Sequence, residues 1–178
     1  PNAYVNQKML SWAQDQCTDK SHDLLELYCG NGNFTVALAP QFKQVLATEI
    51  SKTSVKAAEY NFTKNNLHNI KVCRMSSEEI TSALNKEREF KRLQSQNIKI
   101  DDYQFSTILV DPPRAGLDSA TLTLCQQFNH IIYISCNPLT LAENLTVLRT
   151  THKIKSVALF DQFPYTHHIE TGIYLERQ

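Results

Sequence analysis

The sequence has no net charge, because eighteen Lys and Arg cancel eighteen Asp and Glu. A domain that grips nucleic acid through phosphate contacts alone needs a basic excess, so RNA binding here would require something besides charge. No run of about 18 or more apolar residues occurs, which leaves no candidate for a membrane-spanning helix. There is no CxxC pair, and the five cysteines (Cys17, Cys29, Cys73, Cys125, Cys136) are an odd number. Neither a disulfide framework nor a cysteine zinc site fits, and a reduced, cytoplasmic setting does. Internal repeats, low-complexity tracts and linkers are missing, as is a basic start followed by an apolar stretch and a cleavage site. The opening Pro1-Asn2-Ala3-Tyr4 reads as an interior cut. The 178 residues, 42% of them hydrophobic, read as one domain over 1–178 with a substantial core.

What is present alternates. Helical spacing at Val5, Met9, Leu10 and Trp12 predicts a helix over 3–16, and Leu24 to Leu27 reads as the first strand. Strands follow at 44–48, 70–74, 106–110 and 131–134, separated by helices at 34–39, 51–65, within 77–93, at 119–128 and at 139–150. Two closing strands at 156–160 and 172–175, joined by a short connection, predict an antiparallel pairing at the end of the chain. The pattern is α/β, a doubly wound Rossmann-like fold with a mostly parallel sheet and an antiparallel C-terminal strand. Gln94 to Gln104 is polar and reads as a surface insertion, and the charged run Lys86 to Arg92 as a solvated helix face with i,i+3 and i,i+4 pairs.

Such folds bind ligands at the carboxyl ends of their strands, and three chemically loaded loops fall there. In Leu27-Tyr28-Cys29-Gly30-Asn31-Gly32-Asn33, Gly30 and Gly32 permit a tight turn and close approach to a ligand. Phe34-Thr35-Val36 offers no third glycine for a diphosphate, so the loop suits S-adenosylmethionine better than NAD. Glu49, 17 residues after Gly32, ends the second strand where a carboxylate can accept both ribose hydroxyl protons. In Asp111-Pro112-Pro113-Arg114 the prolines hold a carboxylate and a guanidinium rigidly. Methyltransferases acting on amino groups carry an aromatic after such prolines, and Arg114 in its place points to another nucleophile. Cys136, in Ser135-Cys136-Asn137-Pro138 directly after an apolar strand, is that candidate.

Those three loops, with Asp161-Gln162-Phe163-Pro164-Tyr165-Thr166-His167-His168-Ile169-Glu170, resemble the RNA uracil-5-methyltransferases over nearly the whole chain. The closing segment is most similar to members that methylate a uridine in the tRNA T-loop. Beside Gly30, which the turn itself suggests as a cofactor position, the resemblance implies that Tyr28, Asn33, Glu49 and Asp111 bind S-adenosylmethionine, that Cys136 is the nucleophile and that Glu170 is the base. It also implies a further cofactor-binding glutamine just before Pro1 and an amino-terminal region that helps bind RNA. The expected partner is the T-arm of tRNA, with no membrane and a monomeric protein. A sister enzyme acting on 23S rRNA, or a catalytically silent RNA-binding or chaperone module, stays open at this point.

The chemistry explains the residue types. C5 of uracil is a poor nucleophile until a thiolate adds to C6, and a base must later remove the C5 proton so that the sulfur can leave. Positive charge at Arg114 is expected to raise the thiolate fraction. The base must be flipped out and stacked, for which Phe163 and Tyr165 offer faces and Asn137 a pairing edge. His167, His168 and Glu170 lack a further ligand cluster, so no metal is expected. The remaining cysteines read as core thiols.

Overall fold

The computed structural model describes residues 2–17 and 20–178, so Pro1 of the interior-cut reading lies outside the described residues. A seven-stranded sheet has the order β3-β2-β1-β4-β5-β7-β6. The strands are β1 (Asp23–Leu27), β2 (Val45–Thr48), β3 (Ile70–Cys73), β4 (Phe105–Val110), β5 (His130–Ser135), β6 (His152–Phe160) and β7 (Glu170–Arg177). β1 to β5 run parallel, while β7 lies antiparallel between β5 and β6. The parallel strands are almost continuously buried, which explains why they read as apolar runs rather than alternating ones.

Helices α1 (Ala3–Asp15), α2 (Asn33–Leu38) and α3 (Lys52–Lys64) cover one face, where Leu24, Leu109, Ile132 and Tyr174 meet Met9, Ala13, Phe34 and Leu38. Helices α4 (Ser77–Leu84), α5 (Lys91–Ser95), α6 (Ser119–Cys125) and α7 (Pro138–Leu148) belong to the other, against Leu25, Ile108, Tyr133 and Leu175. Local chemistry sets their starts. Ser51 caps α3, Ser76 and Glu79 form a reciprocal capping box on α4, Asp118 caps α6, and Asn137 caps α7 with Pro138 at its first turn.

One sequence expectation changes and another gains a detail. Helix α4 stops at Leu84, and Lys86 takes a left-handed φ of 58°, so the charged run is a turn that leads into α5 and not one helix face. Its ion pairs reach across sequence: Lys86 to Asp101 at 2.9 Å and Arg92 to Glu79 at 2.9 Å. The polar stretch 94–104 after it lies mostly at the surface, as expected, and is anchored where Ile98 joins Phe90 and Leu93 in the main core. Single apolar residues separated by several polar ones carry no periodicity, which is why the anchoring was invisible in the sequence. Among the described residues, no helix is long and apolar enough to cross a membrane.

Candidate active site

The strand order reverses between β1 and β4, and the residues that follow the parallel strands gather along the edge at that crevice. Tyr28 follows β1, Glu49 follows β2, Asp111 follows β4 and Cys136 follows β5. Glu170 joins them for a different reason. Because β7 is antiparallel, its first residue lies at the edge where its neighbours end: Ser135 pairs with Thr171, and one step further along the two strands lie Cys136 and Glu170.

The turn after β1 separates its two glycines by task. Gly30 has φ 56°, and a Cβ added there would meet nothing within 4 Å. Its N–H donates to Glu49 Oε2 at 3.0 Å, and Ser51 N–H donates to Glu49 Oε1 at 2.7 Å, so two backbone amides hold that carboxylate beside the open room. Gly32, at φ 83°, instead admits the Phe62 ring, which would stand 2.6 Å from an added Cβ. Open space at Gly30 beside a fixed carboxylate has the acceptor chemistry to hold a ribose-bearing cofactor.

Asn33 starts α2 and exchanges two amide hydrogen bonds with Asn6 of α1, at 3.2 and 2.9 Å. Tyr28 has φ 61°, and its ring packs against the core on the side of α4 and α6, where burial pushes its hydroxyl above the ordinary value. What Tyr28 can offer a ligand at the edge is therefore mainly its backbone.

Cys17, Cys29, Cys73 and Cys125 are buried, whereas Cys136 is partly exposed. Burial pushes the thiols of Cys17 and Cys125 up to about 12 and that of Cys73 to about 11, so none of the three is a nucleophile near neutrality. The Cys136 thiol is also raised, first by burial, then by the carboxyls of Glu170 and Asp111. Arg114 pulls the other way but contributes least, so its expected activation of the thiolate is outweighed by two acids in the same cluster. Burial raises Glu170 and, with Glu170 as neighbour, lifts Asp111 to about 7. Glu170 thus opposes ionisation of both Asp111 and Cys136, while His168 pulls Glu170 itself the other way.

The Asn137 side chain already makes two bonds within the protein. Its amide nitrogen donates to Arg114 O at 3.0 Å and its oxygen accepts from Leu139 N at 3.2 Å, making it a tie between loops and the α7 cap. The two aromatics of the closing loop differ. Phe163 is half-buried with its ring edge-on to His168 at 6.2 Å, whereas Tyr165 is fully exposed at φ 66°. The sequence reading gave no role to Glu26, which is 1% exposed in the middle of β1. Burial lifts it to about 8, against a smaller opposing pull from Thr35, and Asp111 adds to the rise. The signal was a lone acid inside Leu24-Leu25-Glu26-Leu27, since an unpaired charge in an apolar strand has to be neutral or satisfied.

Residues 1–178 match the family model described as tRNA (Uracil-5-)-methyltransferase. The chain belongs to that family. Among curated members, the tRNA/tmRNA (uracil-C(5))-methyltransferase of Teredinibacter turnerae is 62% identical over 178 residues, covering 100% of this chain and 48% of that protein. The Neisseria meningitidis member of the same name is 59% identical, covering 100% and 49%. The chain thus spans about half the length of the curated relatives it matches. A crystal structure of the Pyrococcus abyssi tRNA (uracil-54, C5)-methyltransferase, in complex with S-adenosyl-L-homocysteine, superposes with a TM-score of 0.75 at 25% identity, covering 98% of this chain and 38% of that one. The methyltransferase fold read from the sequence is therefore borne out for this member of the uracil-5-methyltransferase family.

Proposed function

We propose that this chain carries the catalytic part of a tRNA uracil-5-methyltransferase, acting on a uridine of the T-loop through a covalent bond between Cys136 and C6 of the ring. The observation that carries the reading is the meeting of Cys136, Glu170 and Asp111 at one strand edge, with Cys136 more accessible than the four buried cysteines. The relatives, named as tRNA methyltransferases, support tRNA over 23S rRNA as substrate, and the intact thiol and acid pair argues against a silent binding module.

Gly30, Glu49 and Asp111 would hold the cofactor, with Glu49 accepting from the ribose hydroxyls and Asp111 standing toward the site of chemistry. Tyr28 and Asn33 would border it through the turn backbone and the start of α2. When bound, S-adenosylmethionine supplies a methyl on a sulfonium sulfur, which the activated C5 carbon takes with S-adenosylhomocysteine as leaving group. The Cys136 thiolate adds to C6, and the C5–C6 π electrons move toward C5 and the C4 oxygen. Glu170 then removes the proton from C5; the electron pair left behind re-forms C5=C6 as the C6–S bond breaks and Cys136 departs as thiolate. A raised Glu170 suits that step, since a carboxylate of higher pKa is a stronger base.

The test is covalent trapping. Full-length enzyme with S-adenosylmethionine and T-arm RNA containing 5-fluorouridine should accumulate a protein–RNA adduct, because fluorine at C5 cannot leave as a proton. Cys136→Ser should form none, and Glu170→Gln should trap ordinary uridine RNA. Methylation of 23S rRNA with tRNA ignored, or normal turnover by Cys136→Ser, would defeat the proposal.

A further inference from the structure

Helix α7 begins two residues after Cys136, and its inward polar residues converge on a single neighbour, the loop that follows Asp111. Asn137 Nδ2 and Thr140 Oγ1 both donate to Arg114 O, at 3.0 and 3.2 Å. Two turns further on, Asn144 is 8% exposed and its Oδ1 accepts from Leu117 N–H at 2.9 Å and from the buried Tyr133 hydroxyl at 2.7 Å. Its Nδ2 faces Leu117 O at 3.4 Å. Gly116, at φ 77°, leaves room for this contact, because an added Cβ would stand 2.8 Å from Asn144 Oδ1.

A helix covering a sheet gains most from apolar side chains, and a buried amide contributes little net stability even when all its bonds are made. What a satisfied buried network supplies is one defined arrangement. Here that arrangement relates two loops. Tyr133 lies in the strand that Cys136 directly follows, Leu117 ends the loop that carries Asp111 and Arg114, and Asn144 bonds both.

We propose that Asn144 is a positioning residue for methyl transfer, holding the Asp111–Leu117 loop at a fixed separation from the turn that presents Cys136. The proposal rests on the function inferred above. Arg114 and Asp111 then face the flipped base from a place set by backbone contacts, not by bonds of their own side chains.

Full-length Asn144→Leu, Asn144→Asp, Tyr133→Phe and Leu93→Ala would be compared with the parent for melting temperature, S-adenosylmethionine affinity and rate of adduct formation with 5-fluorouridine T-arm RNA. An ångström of misplacement slows chemistry by about 100-fold, so Asn144→Leu should lose about that factor in adduct formation, and its S-adenosylmethionine affinity should weaken as well because the released loop carries Asp111. Asn144→Asp keeps the oxygen that accepts both donors and should recover to within about tenfold of the parent. Tyr133→Phe removes one hydroxyl and no carbon, should slow adduct formation by about tenfold, and serves if Asn144→Leu fails to fold. Leu93, buried on α5 and hydrogen-bonded to none of the groups around Asn144, reports loss of stability alone, and its alanine variant should keep the parent rate. Adduct formation by folded Asn144→Leu or Tyr133→Phe at the parent rate, or equal slowing in Leu93→Ala, would overturn the inference. A parent that forms no adduct at all would overturn the function and this inference together.

Discussion

Gly30 and Gly32 sit two residues apart in one turn, both left-handed, yet alanine should harm them in opposite ways. At Gly32 the methyl would press on the Phe62 ring at 2.6 Å, and that ring is 6% exposed among Val55 and Ala58, with nowhere to retreat. A left-handed alanine costs about 1–2 kcal/mol and an overpacked core contact about 1–3 kcal/mol, so Gly32→Ala should lose about 2–5 kcal/mol, a large share of a domain's stability. With an ordinary urea dependence that moves the midpoint down by about 1–2 M. At Gly30 the methyl meets no protein atom within 4 Å, so only the backbone penalty of about 1–2 kcal/mol applies. Its methyl enters the room assigned to the cofactor, where a contact worth about 1–3 kcal/mol weakens binding by about five- to 150-fold. Urea titration and calorimetric titration of S-adenosylmethionine, run on both variants, separate the two losses. Parent-like affinity in Gly30→Ala, or a Gly32→Ala no less stable than Gly30→Ala, would refute this division of the turn.

Alkylation of Cys136 by iodoacetamide at pH 7 should be slower than that of a free thiol, because burial and two acids hold the proton on; Glu170→Gln should speed it several-fold, and an unchanged rate would contradict the clustering. Glu26 should make stability depend on pH. Its carboxyl is lifted from an ordinary 4.5 to about 8, so the stability it contributes is complete below the ordinary value and is lost as pH rises through about 8. Urea midpoints measured from pH 4 to 9 should fall less steeply in Glu26→Gln, by on the order of a few kcal/mol across the range, and parallel curves would refute the assignment. Tyr165→Ala, at a fully exposed position, should leave the melting temperature within about a degree but raise KM for T-arm RNA about tenfold if the ring stacks on a base; Phe163→Ala should instead lower stability.

Residue order alone determined a good deal here. The alternation of apolar runs and helical spacing dictated the α/β layers, since each strand buried on both faces must be apolar throughout and each helix needs one apolar stripe. Glycine in the first turn, a carboxylate after the second strand, Asp111 with its prolines and Cys136 after β5 were all legible, because a parallel strand delivers whatever follows it to the same edge. Glu170 was legible only through resemblance. Its place beside Cys136 depends on β7 entering antiparallel between β5 and β6, an insertion that no local pattern encodes because strand order is settled by contacts between segments distant in sequence. The charge state of the site is tertiary for the same reason. Arg114 stands nearer to Cys136 in sequence than Glu170 does, but the folded arrangement sets two carboxyls and burial against it, and the thiol goes up. The tie from Asn137 to Arg114 O is tertiary too, since only the fold turns that carbonyl toward the amide. Sequence fixes which groups arrive at the edge, and packing decides which of them face one another and how strongly their charges compete.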